Sequence, residues 1–581
     1  MADAHKNFAY STVATAPSPS TSGTSLVVAA GTGALFPTPP FNITIWPASV
    51  LPLASNAEIA RVTAKTTDTF TIIRAQEGSS ARSVSVGDQI AATITTKTLT
   101  DVEASIASLS LNVTQAPYNC VPDSTITTDH TAAFQTAIND AAAAGGGIVW
   151  VPPTASNLFF NIAGLELKSR VYLVGAGPHA SRLCFYGTSA NTMIRNHVST
   201  NGTTDPNAEY CGVFDMMLYG NSGFTTGTVQ ASSSNHIGIK LTTNPLFAQG
   251  PDESADTQWR IRNLHITKFR DVAIQLEGRS SSVISDSYIQ SIGIGGGQGI
   301  GIQVGFDTVV ANCATGGTGT YGFQMDGPSN HFIGCKAFYA GDGGAGGAWD
   351  GFYIGSGAGS ATLTGCIAQD NGGNGFQLAF CHGVTLTGCV ADSNSRGTVG
   401  GYIGYWLHGC QECQLDGCVS QERTEDGVHS YQQHALALDS GAAYNRVSLT
   451  HGPQNGTVGD PIVTGSDAQF NSIQINGQGG YQDIAYASSI TPDLYKGAVV
   501  SVGTLTGAMS VQNPLYNAWY GTRVTFSFIQ DATGSRVVTF AGNQYKANGT
   551  LTAAANKRMS ISFVCIGDGF ALVETGRVTG F

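Results

Sequence analysis

The sequence predicts an all-β protein organised around a parallel β-helix, and three observations carry that prediction. Residues 312–428 repeat a short phrase: Asn312-Cys313, Gly334-Cys335, Gly365-Cys366, Gly388-Cys389 and Gly417-Cys418, at intervals of 22, 31, 23 and 29 residues. A second phrase follows each: Gly322-Phe323-Gln324-Met325, Gly351-Phe352-Tyr353-Ile354, Gly375-Phe376-Gln377-Leu378, Gly404-Tyr405-Trp406-Leu407, and a degenerate Gly427-Val428. Third, segments 361–368 and 384–391 alternate apolar and polar residues, the period of a strand. Strand and turn units of about 25 residues describe stacked coils of a solenoid, with equivalent positions separated by about 4.8 Å. The phrase cysteines then form a column of small buried side chains.

Composition agrees. The chain has 581 residues, too many for one ordinary core, with 74 glycines and only 11% charged residues. A net charge of −12 offers no attraction to nucleic acid or an anionic membrane, and no apolar run reaches membrane-spanning length. Neither nucleic acid nor membrane insertion is expected. Twelve cysteines invite a disulfide or zinc reading. The column argues for thiols acting as small hydrophobes, and Cys410 and Cys381, each eight residues before a phrase cysteine, read as a second column. Cys410-Gln411-Glu412-Cys413 is the one CxxC, with no second CxxC or His pair, so no metal and no cofactor is expected. The first residues contain no apolar signal segment, which an exported bacterial protein would usually need and a virus particle protein released by lysis would not.

In chain order, residues 1–98 read as a small β domain of five strand-like segments separated by Pro, Gly or Asp turns. Residues 99–116 form a linker or neck helix, with Leu99, Val102, Ile106 and Leu109 on one stripe; a three-chain neck and an ordinary linker both fit. Residues 117–485 hold the β-helix. It opens with a helix from Thr128 or Asp129 as cap, apolar face Phe134, Ile138 and Ala141 or Ala142, ended by Gly145–Gly147 and followed by the strand 148–151. Coils between 154 and 311 are less regular, with Ser/Thr/Gly-rich loops projecting. Residues 486–581 alternate cleanly and suggest an antiparallel β-sandwich or jelly roll.

Three stretches resemble known families. Residues 58–64 and 74–81 look like the N-terminal module of bacteriophage tail fibres and tail spikes, which joins the fibre to the tail. In the alternative reading, Arg74, Glu77 and Arg82 are a solvated hairpin loop. The helix, Gly-Gly-Gly, strand, Pro sequence over 129–153 resembles the opening of pectate-lyase-like right-handed β-helices, where the helix covers the first coil's open edge. Segments 521–526, 530–534 and 567–574 are similar to C-terminal sandwiches of phage tail proteins, which seal the last coil, aid trimer assembly or hold a glycan. These resemblances imply a homotrimeric, virion-borne tail spike acting at the host surface. Its partners would be a host glycan and a tail or baseplate protein.

Cleaving a glycan requires a carboxylic acid and a second carboxylate about 5 to 9.5 Å apart, which stacked coils supply readily. Asp350 and Asp426 precede the glycine of the second phrase, with Asn374 between them; Asp370 and Glu422 lie four residues after a phrase cysteine and Asp392 three after. Asn371 and Asn394, five after, suggest an Asn ladder with the acids in its turn. The densest patch is 421–429, with Glu422, Arg423, Glu425, Asp426 and His429. The candidate catalytic set is Asp350, Glu422, Glu425, Asp426 and His429. Arg423, Trp349, Tyr402 and Trp406 are candidate sugar contacts, the aromatics as platforms for apolar sugar faces, with core packing or a trimer contact as the alternative for Trp406. An enzyme that depolymerises polysaccharide, a receptor-binding module without chemistry and a purely structural spacer all remain open.

Overall fold

The computed structural model describes residues 3–107, 110–186, 192–198, 208–221, 236–242, 258–279, 281–293, 297–341, 349–398, 400–423, 432–451, 462–464, 471–476, 481–494, 497–515, 522–566 and 571–581. The chain divides into two compact units, Met1–Leu111 and Asn112–Phe581.

In the first unit six strands, Tyr10–Thr15, Ser25–Val28, Thr69–Ile73, Glu58–Thr66, Phe41–Trp46 and Gln89–Ala91 in spatial order, close into an antiparallel barrel. Alternate residues such as Leu26, Ile43, Val62, Phe70 and Ile90 fill it. The 74–82 segment is not a solvated loop. Glu58 is fully buried and accepts from Arg74 Nε at 2.7 Å and Nη2 at 2.6 Å, and from the N–H groups of Ala75 and Arg82. These bonds hold its carboxyl below the usual range against the opposing cost of burial. Sequence spacing could not pair Glu58 with Arg74, because the pair closes across two strands. The helix spans Thr96–Ala107, three residues earlier at its start than the apolar stripe implies, and Leu99 and Val102 are exposed on it. The side chains of Ile106 and Leu109 lie outside the described residues.

The second unit opens on the helix Thr131–Ala143, whose buried face is Phe134, Ala137, Ile138 and Ala141. His130, not Thr128 or Asp129, occupies the N-cap position. Its ring bridges Val121 O and the N–H of Asn161, while Asp129 Oδ1 accepts the N–H of Thr131 from one residue further out. Gly146 has φ +121, and a Cβ there would lie 2.8 Å from Arg170 O.

Two parallel sheets of 11 and 20 strands then wind through the unit. Each regular rung contributes one strand to the first sheet and two to the second, as in Phe352–Ile354, Thr362–Thr364 and Ile367–Gln369. Rungs stack in strict register: Leu363 on Leu386, Ala368 on Ala391, and Phe323, Phe352, Phe376 and Tyr405 in one column. Those four rings lie face to face, with centroids 4.8, 4.8 and 5.0 Å apart. Every such ring stabilises its rung by about 1.5–3 kcal/mol through burial alone.

The repeated phrase has a backbone cause. Asn312, Gly334, Gly365, Gly388 and Gly417 all have φ between 53 and 61°, the left-handed conformation that breaks the second strand from the third at the first four and kinks the continuous strand Gln414–Gln421 at the last. The kink turns the following cysteine inward. Cys335, Cys366, Cys389 and Cys418 are buried, and each thiol donates to a carbonyl of the preceding rung: Val310, Phe332, Leu363 and Leu386.

The C-terminal part comprises a six-stranded and a three-stranded sheet about one core that includes Val502, Phe526, Phe563 and Val511. Its pairings are mixed: Tyr481–Ile484, Val499–Leu505 and Arg523–Gln530 run parallel, whereas Arg523–Gln530, Arg558–Ile566 and Ala571–Thr579 run antiparallel. Strand alternation reports burial of one face and carries no information on strand direction, so the wholly antiparallel expectation had no local signal behind it.

Candidate functional site

The corner after the third strand of each rung concentrates the polar side chains. Gln369, Asp392 and Gln421 stack in register at the strand end. At the next position Asp370 and Ser393 are left-handed, with φ 54 and 53°, so the chain reverses and the residue after them turns inward. Those inward residues are Asn371 and Asn394. Asn394 Oδ1 accepts the N–H and Nδ2 of Asn371, and Asn394 Nδ2 donates to Ala368 O and Gln432 Oε1. The Asn ladder is therefore real, and Gln432 ends it.

The same reversal turns the acids away from the Asn ladder, and Asp370 and Asp392 are nevertheless buried. Arg423 donates its Nη2 to Asp370, two rungs away, while its Nε lies 3.2 Å from Asp392 Oδ2. Its N–H donates to Ser393 Oγ at 2.8 Å, and that hydroxyl donates to Asp392 Oδ1 at 2.9 Å. Glu422 Oε1 accepts the N–H of Gln432 at 2.6 Å. Asp370 and Glu422 thus occupy equivalent positions two rungs apart, about 9.6 Å by strand spacing, and Asp392 lies on the rung between them, one residue earlier. Burial raises the Asp392 carboxyl, with the Asp370 charge adding to the rise and Arg423 opposing it. Burial likewise pushes Glu422 to about 8, against the hydrogen bonds from Gln432. A carboxyl still protonated at neutral pH beside ionisable partners has the makings of a general acid and base pair.

Asp350 sits elsewhere in the corner and is enclosed rather than open to a ligand. Its Oδ1 accepts the N–H and Nδ2 of Asn374 at 2.7 and 2.9 Å, and Asn374 Oδ1 in turn accepts the N–H of Ile403. Burial lifts its carboxyl to about 7. This is a second polar ladder, which the shared Asp/Asn position before Gly351 and Gly375 already hinted at. Glu425, Asp426 and His429 lie outside the described residues.

The aromatic candidates divide. Trp349 packs edge-on against Tyr321 at 5.4 Å, and Tyr321 stacks on Tyr353 at 4.6 Å. Tyr353, Gln377 and Trp406 follow one another on the outer face of the 11-stranded sheet. All four rings are half-buried, and the indole N–H groups of Trp349 and Trp406 have no acceptor among the described residues. Tyr402 is held by its backbone, between Ser395 Oγ and the N–H of Gln433. Sequence reasoning missed Tyr321 and Tyr353 as members of this strip. The signal was available for Tyr353, which stands in the repeated phrase at the outward position that Trp406 fills two rungs on.

Comparison with known proteins follows the same outline. Residues 347–475 match the right-handed β-helix region family, and residues 490–569 match the phage tail fibre C-terminal domain family. Among solved structures, the enzymatically active domain of tailspike protein 2 from bacteriophage CBA120 aligns with a TM-score of 0.50 and 16% identity, over 90% of this chain and 75% of that one. Full-length tailspike protein 2 of an Escherichia coli O157:H7 bacteriophage gives 0.48 and 15%, over 85% of this chain and 64% of that one. The A-module of an Azotobacter vinelandii mannuronan C-5 epimerase gives 0.40 and 17%, over 62% of this chain and 99% of that one. No curated protein matches the sequence. The class is a right-handed parallel β-helix protein. Within it, residues 490–569 are similar to the C-terminal domain of phage tail fibres, and the likeness to the solved tailspike domain is one of fold.

Proposed function

We propose that the chain is a bacteriophage tail spike that recognises a polysaccharide of the host surface and cleaves it at the rung corner, with Glu422 as acid and Asp392 as its carboxylate partner. The observation that carries the reading is the stacking of Asp370, Asp392 and Glu422 on successive rungs of a chain with few charges, two of them with raised carboxyls. In this reading Arg423 holds the two aspartates in place, and Glu425, Asp426 and His429 follow directly in the chain. The strip of Trp349, Tyr321, Tyr353 and Trp406 supports sugar binding along the axis, since aromatic faces cover the apolar faces of sugars. We further propose that the N-terminal barrel docks to the tail, and that the exposed Leu99 and Val102 belong to the neck of a homotrimer.

Incubating the purified protein with host surface polysaccharide and measuring released reducing ends, with unsaturated-uronate absorbance alongside, tests the chemistry. The wild type releases ends, and Glu422→Gln and Asp392→Asn abolish release while retaining binding to cells. If wild type and both variants are equally inert yet bind cells, the protein is a receptor-binding module. That outcome has an observation behind it already: Arg423 neutralises the two aspartates, as a purely structural ion cluster would.

A further inference from the structure

Cys381, Cys410 and Cys413 come together in a way the other cysteines do not. Parallel bridges stack Gly359, His382, Gln411 and Ala443, which puts the preceding residues Ala358, Cys381, Cys410 and Ala442 in one inward column. Ser360, Gly383, Glu412 and Tyr444 are all left-handed, and the residues after them, Ala361, Val384, Cys413 and Asn445, form the next inward column. Two columns that elsewhere carry alanine, valine or asparagine thus place three thiols at one level. Cys381 Sγ lies 3.5 Å from Cys410 Sγ and 4.0 Å from Cys413 Sγ, and the three sulfurs all fall within 4.8 Å of one another. Among the described residues, this is the one cluster of three or more such ligand atoms. All three cysteines are buried.

The cluster is also preset. Asn445 Oδ1 accepts the N–H of Cys413 at 2.9 Å and its Nδ2 donates to Cys410 O at 3.0 Å, so one side chain clamps both ends of the CxxC turn. Outer groups that fix ligand orientation in this manner accompany metal ligands generally. Zn–S bonds of about 2.3 Å in tetrahedral geometry require sulfurs about 3.8 Å apart, and the two separations above bracket that figure. His382 is exposed and lies outside the three-sulfur group, leaving a fourth position to water or to a carbonyl such as Leu378 O, which lies 3.0 Å from Cys410 Sγ.

We propose that Cys381, Cys410 and Cys413 form a buried three-sulfur site for a thiophilic divalent cation, with Zn2+ the ion it fits. Each thiol that ionises gives one proton to solvent: two leave if one thiol stays protonated and the site is neutral, three if all ionise. A divalent ion suits the burial, since a monovalent ion with three thiolates would leave two uncompensated charges in the core. This departs from the sequence expectation of no metal, which rested on counting ligands along the chain.

Protein expressed in zinc-supplemented medium under reducing conditions should carry about one zinc per chain by elemental analysis. Its zinc-edge absorption should show a sulfur shell near ~2.3 Å. Cys410→Ala and Cys381→Ala should lose the metal, while Cys366→Ala in the other column keeps it. Failure to find stoichiometric zinc, both after such growth and after titration of the reduced protein, overturns the proposal. So does a first shell of only oxygen and nitrogen, or retention of the metal by Cys410→Ala. If the variants do not fold, elemental analysis and the wild-type absorption spectrum decide alone.

Discussion

Replacing Asp350 by asparagine separates scaffold from chemistry. The Asp350 carboxyl is 4% exposed and accepts two hydrogen bonds from Asn374 through a single oxygen. Burial raises it from 3.8 to about 7. Because the folded value exceeds the unfolded one, the folded state holds this proton more tightly. Its contribution is neutral below about pH 4, and stability falls as pH rises from there through about 7. At about 1.4 kcal/mol per pH unit, the full loss is roughly 4 kcal/mol. Asp350→Asn keeps the oxygen that receives Asn374 and cannot ionise. The variant should therefore match wild type near pH ~4 and exceed it by up to about 4 kcal/mol near pH ~8. Urea unfolding midpoints at the two pH values, or inactivation rates where unfolding is irreversible, measure the difference. A variant that is less stable at alkaline pH, or a wild type whose stability does not fall over this interval, would refute the reasoning. Polysaccharide cleavage assayed in parallel then assigns the role: full activity makes Asp350 a rung support, and loss of activity in a stabler protein makes it catalytic.

Other substitutions probe the remaining parts. Arg423→Met removes the guanidinium facing Asp370 and Asp392; any cleavage activity should shift its acid limb to higher pH, because the Asp392 carboxyl loses the charge that opposes its rise. Asn394→Ala leaves the buried N–H of Asn371 without its side-chain acceptor, and should cost about 1–3 kcal/mol by denaturant unfolding. Glu58→Ala strands the buried Arg74 and should destabilise the N-terminal barrel by roughly 3–5 kcal/mol, seen as a lower-temperature transition in calorimetry. Gly388→Ala meets no atom within 4 Å but must hold φ +60, so it should cost about 1 kcal/mol for conformation alone.

Where the sequence repeats, the fold was legible. The Gly-Cys and Gly-Phe phrases predicted the rung register, because a solenoid forces equivalent residues into equivalent environments. Asn371 and Asn394 even disclosed their ladder. Legibility failed where a contact joins segments with no common period. Gln432 ends the Asn ladder from ten residues beyond Glu422, and Glu58 finds Arg74 across the open end of the hairpin of Glu58–Thr66 and Thr69–Ile73. The acid cluster lay between these cases. Counting from the phrase cysteines marked Asp370, Asp392 and Glu422, yet the local charge density of 421–429 drew attention toward Glu425, Asp426 and His429. What counting could not supply was Arg423 reaching back two rungs, since a long flexible side chain obeys no period.

One backbone event underlies both the core and the candidate chemistry. At the rung corner a single left-handed residue, Asp370 or Ser393, sends its successor inward to the Asn ladder and leaves its own side chain and its predecessor's off that ladder. Ladder and surface are thereby decoupled: the inner residue satisfies the backbone of neighbouring rungs, and the outer ones are free to vary. An acid placed at the outer position inherits the rung spacing of about 4.8 Å from its equivalents above and below without any further folding cost. It also inherits a rigid floor, because the amides beneath it are already bonded. This accounts for charge gathering at the corner of a chain so poor in it. It also requires that Asp370, Asp392 and Glu422 be exchangeable for neutral residues with far less loss of stability than Asn371 or Asn394, whose side chains have no alternative partners in the core.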